Sequence, residues 1–279
     1  GDHRDLHKEY RRQRQMCIRD RDLIEICHNN LATQAIALLP GFIRPSAISE
    51  MAEEAQDLIN QAHRYDQPRA AFYEHPNHHH RARDGDGWST LRSKRHPNRY
   101  CQILNYQIPN NSNLRAIYLW PKLTEFVRRV LDVNRLYPSV CPHLALTMKV
   151  AFEGDLDGWH YDPNDGVITL MLQPSESGGE FEYAPYIRNE QEENYTEVKR
   201  LFDSPDTEAQ RIKLEAGTFT LFNGRFSMHR VRPIEPTEQP RIIAIFSYDQ
   251  RPDMVFSQDY IDMLRSFPQG PPDRNSSIK

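Results

Sequence analysis

Long apolar runs are missing from these 279 residues, and none approaches the roughly 18 residues that a membrane span requires. No transmembrane helix is therefore expected. Cysteine is scarce: Cys17, Cys27, Cys101 and Cys141 are the only four, and none forms a CxxC pair. That spacing provides neither a zinc-ribbon pattern nor a disulfide framework, and it reads as free thiols in a reducing compartment. An excess of positive charge is also lacking. Lys and Arg number 35 against 39 Asp and Glu, a net charge of −4, whereas a dedicated nucleic-acid binder needs a basic face. No charged, then apolar, then small pattern opens the chain, so a secretory signal is not expected and a cytoplasmic location is. Internal repeats are missing, and no linker divides the chain after residue 22.

What is present suits a globular protein with a sizeable core: 38% hydrophobic residues, 10% aromatic, and 20 Pro to punctuate turns. Residues 1–21 stand apart. Arg11, Arg12, Arg14, Arg19 and Arg21 crowd a segment with little apolar periodicity, and Met16–Arg21 resembles translated sequencing-adapter sequence. A non-native or disordered basic extension is expected there, with 22–279 forming one domain. Leu23, Ile24, Cys27, Leu31, Ala35 and Leu38 recur at helical spacing until Pro40-Gly41 ends the run. Phe42-Ile43 reads as a short strand. Ser46 is a candidate cap for a second helix, whose stripe is Ile48, Met51, Ala52, Ala55, Leu58, Ile59 and Ala62. Residues 66–98 are irregular. Their His75, His78, His79 and His80 lack the fixed geometry of a metal site, Asp84–Gly87 lacks the later ligands of a calcium loop, and a lid is the functional alternative. Residues 100–108 read as a strand, and 112–132 as two helices broken at Trp120-Pro121.

After residue 142 the rhythm changes. Segments 144–152, 167–173, 180–184, 211–214, 218–223 and 241–248 are short, rich in β-branched or aromatic residues, and bounded by Gly, Pro and Asn. Helices followed by a run of strands predict an α+β protein with a sandwich or barrel core. Helical support is expected over 22–135, the barrel over about 98–255, and a C-terminal tail over 256–279.

The stretch Gly158-Trp159-His160-Tyr161-Asp162 carries the chemistry. On a strand or its extended end, residues i and i+2 project to one side, so His160 and Asp162 can face one metal. His229, far downstream beyond another strand, can supply a third ligand. Two His and one carboxylate leave three positions open, the arrangement of non-haem Fe(II) oxygenases. About a dozen residues further, Arg241 opens a strand, where its guanidinium can hold the remote carboxylate of 2-oxoglutarate. Nearer the metal, Trp159, Asn164, Asp165, Asn223 and Arg225 are candidate substrate contacts. Packing by Trp159 and turn formation by Asn164-Asp165-Gly166 and Asn223-Gly224 are the structural alternatives.

The segments Gly158–Leu172, Gly178–Tyr183, Ala216–Arg225 and Met228–Val231 resemble the Fe(II)/2-oxoglutarate-dependent dioxygenase superfamily. Within it they look most like the free-amino-acid halogenases and their hydroxylating relatives. The resemblance covers roughly 98–255, with a weaker echo at 40–58. It implies a double-stranded β-helix, a jelly-roll or cupin-like barrel with N-terminal flanking helices. It also implies Fe(II) held by His160, Asp162 and His229, 2-oxoglutarate anchored by Arg241, and O2 as co-reactant. The halogenases carry Gly or Ala where this chain has Asp162, so hydroxylation replaces halogenation as the expected outcome. Some relatives desaturate or cyclise. A second Arg six residues past Arg241 marks the nucleic-acid-demethylating branch, and this chain has Ser247 there. A Lys about ten residues past the distal His marks collagen-type prolyl hydroxylases, and this chain has Gln239. A small-molecule substrate such as a free amino acid is expected. The alternatives are a protein side chain, or a non-catalytic ligand-binding or regulatory barrel.

Overall fold

The computed structural model describes residues 22–72, 88–162 and 167–272. The extension expected at 1–21, the histidines at 75–80, the Asp84–Gly87 segment and the pair Asn164 and Asp165 all lie outside them.

The first half contains α1 (22–34), β1 (Ile36–Leu39), α2 (Pro45–Leu58), β2 (His63–Asp66), β3 (Arg69–Ala70), α3 (Ser89–Ser93) and β4 (Arg95–His96). It continues with β5 (Asn98–Ile103), α4 (Asn113–Tyr118), α5 (Pro121–Val130) and β6 (Tyr137–Pro138). Next come β7 (Leu146–Ala151), β8 (Leu156–His160), β9 (Val167–Gln173), β10 (Phe181–Ala184), α6 (Tyr195–Asp203) and α7 (Pro205–Glu208). The last are β11 (Gln210–Ile212), β12 (Phe219–Phe222), β13 (Met228–Val231), β14 (Arg241–Phe246), β15 (Tyr248–Asp249) and α8 (Gln258–Ser266).

Eleven strands form one antiparallel sheet, in the order β1-β12-β9-β14-β7-β5-β8-β13-β10-β11, with β2 paired to β5. Strand β5 joins two parts. Its Cys101–Ile103 stretch pairs with β7, while Asn98 and Arg99 pair with β8. The parts face each other across an interior: Phe222 of β12 lies 5.0 Å from Phe181 of β10 and 4.9 Å from the His229 ring of β13, centroid to centroid. This curled sheet is the jelly-roll expected from the sequence.

The larger part is covered on its outer face. Ile168, Leu170, Leu172, Ile242, Ala244 and Phe246 pack with Ile48, Met51, Ala52 and Ala55 of α2 and with Leu123, Val127 and Val130 of α5. Period-2 alternation on the strands meets the 3.6-residue stripe of each helix. The smaller part is covered by α6, whose Val198 and Leu201 pack near Trp159. Four expectations need correction. The run read as helix to Leu38 ends at residue 34; Ala35 turns at φ +60°, and Ile36–Leu39 pair with Phe222–Phe219. Four apolar residues fit either periodicity, and the edge of β12 decides by supplying backbone partners. Phe42-Ile43 is irregular, with Phe42 stacked on Phe219 at 4.6 Å. Ser46 is not a cap: Arg44 occupies that position and Pro45 begins the helix. Finally, 256–279 is more than a tail. Helix α8 buries Ile261 and Leu264 among Tyr65, Tyr100, Leu104, Cys141 and Leu144.

Candidate metal centre

At the end of β8, His160 sits directly opposite His229 of β13, and the two rings are 4.0 Å apart. Two residues further, the Asp162 N–H donates to Gly224 O at 3.0 Å, and this turns its carboxylate towards the rings. Asp162 Oδ1 is 3.6 Å from His160 Nε2, and Oδ2 is 3.3 Å from His229 Nε2. One ligand atom from each of the three residues lies within 4.8 Å of the others. Gly224 makes the room: a Cβ there would fall 1.8 Å from Asp162 Oδ2.

The protons can be placed. His160 Nδ1 lies 2.7 Å from Gly158 O, and His229 Nδ1 lies 3.0 Å from Ser227 O. A carbonyl oxygen only accepts, so each Nδ1 carries the hydrogen and each Nε2 presents a lone pair. Asp162 Oδ2 is buried with no hydrogen-bond partner among the described residues. Three acceptors therefore converge with no donor between them, which is the environment a cation satisfies. Burial drives the His160 pKa well below the ordinary imidazole range, with the charge of Arg69 acting the same way. Burial alone would raise Asp162, but positive charge placed against it, at His229 first of all, outweighs burial and holds the carboxyl down to about 2; with each Nε2 presenting a lone pair, a bound cation takes that role. Two imidazoles and a carboxylate form the donor set that suits Fe(II) with open positions.

Arg241 opens β14 on the face opposite Ile242, which belongs to the outer core. Its side chain is buried, and among the described residues its guanidinium makes no hydrogen bond or ion pair. Burial lowers its pKa to about 10, with the distant charge of Asp157 pulling the other way. Gly179, at φ +70°, lies against it; a Cβ there would come within 3.1 Å of Arg241 Cδ.

The other sequence candidates divide. Trp159 points away from the metal side: it is buried on the outer face among Val198, Leu201 and Phe202, because neighbours on a strand alternate faces. Arg225 stacks over Phe226 at 5.2 Å and lies 3.5 Å from Glu190. Asn223, next to Gly224, keeps a buried Oδ1 without a hydrogen-bond partner among the described residues. Sequence reasoning missed a charged cluster beside His160. Asp157 accepts from Arg69 Nη2 at 2.7 Å and from Lys149 Nζ at 2.5 Å, and its Oδ1 lies 3.8 Å from His160 Nδ1. Arg69 Nε and both amide atoms of Asn98 are buried without hydrogen-bond partners among the described residues. A carboxylate in a strand otherwise heading for burial was a readable signal for Asp157. Arg69 and Lys149 arrive from β3 and β7, and no spacing connects them to the histidines.

Comparison with known proteins agrees with this architecture. The epimerase SnoN from nogalamycin biosynthesis, non-haem and α-ketoglutarate-dependent, superposes with a TM-score of 0.55 at 13% identity, over 90% of this chain and 89% of that one. A prolyl hydroxylase from Trichoplax adhaerens, solved with a hypoxia-inducible-factor peptide, gives 0.51 at 13%, over 85% and 93%. HygX from Streptomyces hygroscopicus, solved with nickel and 2-oxoglutarate, gives 0.50 at 14%, over 87% and 94%. These likenesses establish the fold. No curated protein matches the sequence. The sequence pattern of one family matches residues 19–263, nearly the whole chain, so this protein belongs to the family described as Halogenase D.

Proposed function

We propose that this chain is an Fe(II)- and 2-oxoglutarate-dependent oxygenase that hydroxylates a small polar substrate, a free amino acid being the class it suits. The observation that carries the reading is the convergence of His160 Nε2, His229 Nε2 and Asp162 Oδ2 on one point without a donor among them. His160, Asp162 and His229 hold the iron. Arg241, a buried cation with no partner among the described residues, takes the distal carboxylate of 2-oxoglutarate in a charge-assisted pair. When bound, iron with 2-oxoglutarate and O2 supplies the oxidant that removes hydrogen from an unactivated C–H bond and returns oxygen to the carbon.

The protein's own contribution is position and exclusion of water. The Nδ1–H donations to Gly158 O and Ser227 O fix both rings with Nε2 facing inward. Asp162 fills the third protein position, where relatives that halogenate carry a residue with no carboxylate. A halide has no vacancy there, which favours hydroxylation despite the family's name. Arg69 Nε and the Asn98 amide, unpaired and next to the Asp157–His160 contact, can receive the carboxylate and amino groups of an amino acid.

The test is succinate formation. Purified protein is loaded anaerobically with Fe(II), then given 2-oxoglutarate and O2, alone and with pooled amino acids, beside a His160→Ala control. Triad-dependent succinate that rises with one pool is the expected result. Absence of both succinate and an Fe(II)/2-oxoglutarate charge-transfer band would overturn the proposal.

A further inference from the structure

The backbone ladder between β8 and β13 is irregular where the two histidines face each other. His229 pairs with His160 and Val231 pairs with Asp157, so Gly158 and Trp159 together oppose Arg230 in a bulge. The backbone ladder to β8 is therefore interrupted over this interval, although β13 keeps an unbroken register with β10 on its other side. A slip of one residue would turn His229 to the outer face.

Side chains on that outer face span the gap. The Arg230 guanidinium lies 4.6 Å over the Trp159 ring. Its Nε donates to Glu182 Oε2 at 2.6 Å, and Glu182 is its register partner on β10. Glu182 is 1% exposed and its Oε1 also accepts from Arg211 at 2.7 Å and from Arg232 at 3.0 Å. Stack and ion pairs thus cross all four strands of the smaller part, β8, β13, β10 and β11. They do so at the level of the histidines, because Trp159 and Arg230 are the immediate neighbours of His160 and His229. A carboxylate this buried is costly to fold around, and in some proteins a buried polar group of this kind specifies register.

We propose that Arg230, stacked on Trp159 and tied to Glu182, is a positioning residue that holds the two histidine-bearing strands at the spacing and register the metal centre requires. The inference rests on the reading of His160 and His229 as metal ligands. It assigns Trp159 a role that contact with substrate does not explain.

The test uses Co(II) as a probe, with affinity measured by competition and geometry by its d–d absorption. Wild type is compared with Arg230→Met, which removes the donors and keeps an apolar stem, and with Arg211→Gln, which removes a Glu182 partner remote from Trp159. Each variant is first shown to be folded by circular dichroism at the assay temperature. Arg230→Met is expected to bind Co(II) about ten-fold or more weakly with a changed d–d band, while Arg211→Gln stays near wild type. Unchanged Co(II) affinity and spectrum in folded Arg230→Met would overturn the inference, as would equal weakening in both variants. Should Arg230→Met fail to fold, Trp159→Leu carries the test: weaker binding supports the clamp and unchanged binding refutes it. If wild type itself binds no Co(II) in a His160-dependent way, the metal-centre reading has failed, and the clamp with it.

Discussion

At the scale of single residues, the site is built as much from missing atoms as from ligands. Asp162 reaches the histidines because Gly224 has no Cβ to meet Oδ2. Gly224→Ala should therefore displace the carboxylate and weaken metal binding by an order of magnitude or more. In an Asp162→Ala background the same substitution should cost less, because its nearest clash partner is gone and only the 3.0 Å approach to His229 Cε1 remains. A double-mutant cycle on Co(II) affinity reads this coupling, and strict additivity would show that Gly224 acts elsewhere. Arg241 gives a second residue-scale expectation. Arg241→Ala should raise the KM for 2-oxoglutarate at least ten-fold while leaving metal affinity near wild type, and unchanged cosubstrate dependence would remove it as the anchor. These residues were legible for a physical reason. His160 and Asp162 share a face at i, i+2 spacing, and a lone Arg opening an apolar strand stands out. Arg69 and Lys149 were not, since two other strands deliver them and only the closed fold brings them to Asp157 and His160.

At the scale of elements, periodicity identified what packing alone decides and failed where a neighbour decides. Strands at 167–173 and 241–246 and the helix break at Trp120-Pro121 follow from local pattern. The conversion of Ile36–Leu39 to a strand does not, because it depends on the vacant edge of β12. Helix α8 was missed for a related reason. Its apolar stripe is short, with Ile261 and Leu264 the only buried hydrophobic residues along it. Those two side chains close the cluster under Tyr65 and Tyr100, the latter lying beneath Lys149 Nζ at 4.2 Å. Ile261→Ala should destabilise the protein by about 2–4 kcal/mol through lost transfer energy and the cavity left behind. Urea unfolding measures it, and a cost below about 0.5 kcal/mol would mean that α8 is an ornament on the fold.

At the scale of the whole molecule, two facing parts of one sheet place charge inside an apolar shell. The larger part delivers Lys149 and Arg241, the smaller delivers Asp157 and His160, and β3 adds Arg69 beside them. Asp157 neutralises one of the two cations it touches, so Arg69 and Lys149 leave this flank with a net positive charge before any substrate enters. Arg69 also has its Nε buried and unpaired. An anionic group on the substrate would satisfy both the charge and the donor, and Arg241, the anchor proposed for the cosubstrate, opens a different strand. The two cations should therefore separate kinetically. Arg69→Met should abolish most of the succinate that depends on added substrate while sparing the slow succinate formed without it. Its KM for 2-oxoglutarate should stay near wild type, unlike that of Arg241→Ala. If Arg69→Met instead loses 2-oxoglutarate affinity and keeps full response to substrate, the assignment of the two flanks is reversed. In that case the cosubstrate, rather than the substrate, binds beside Asp157.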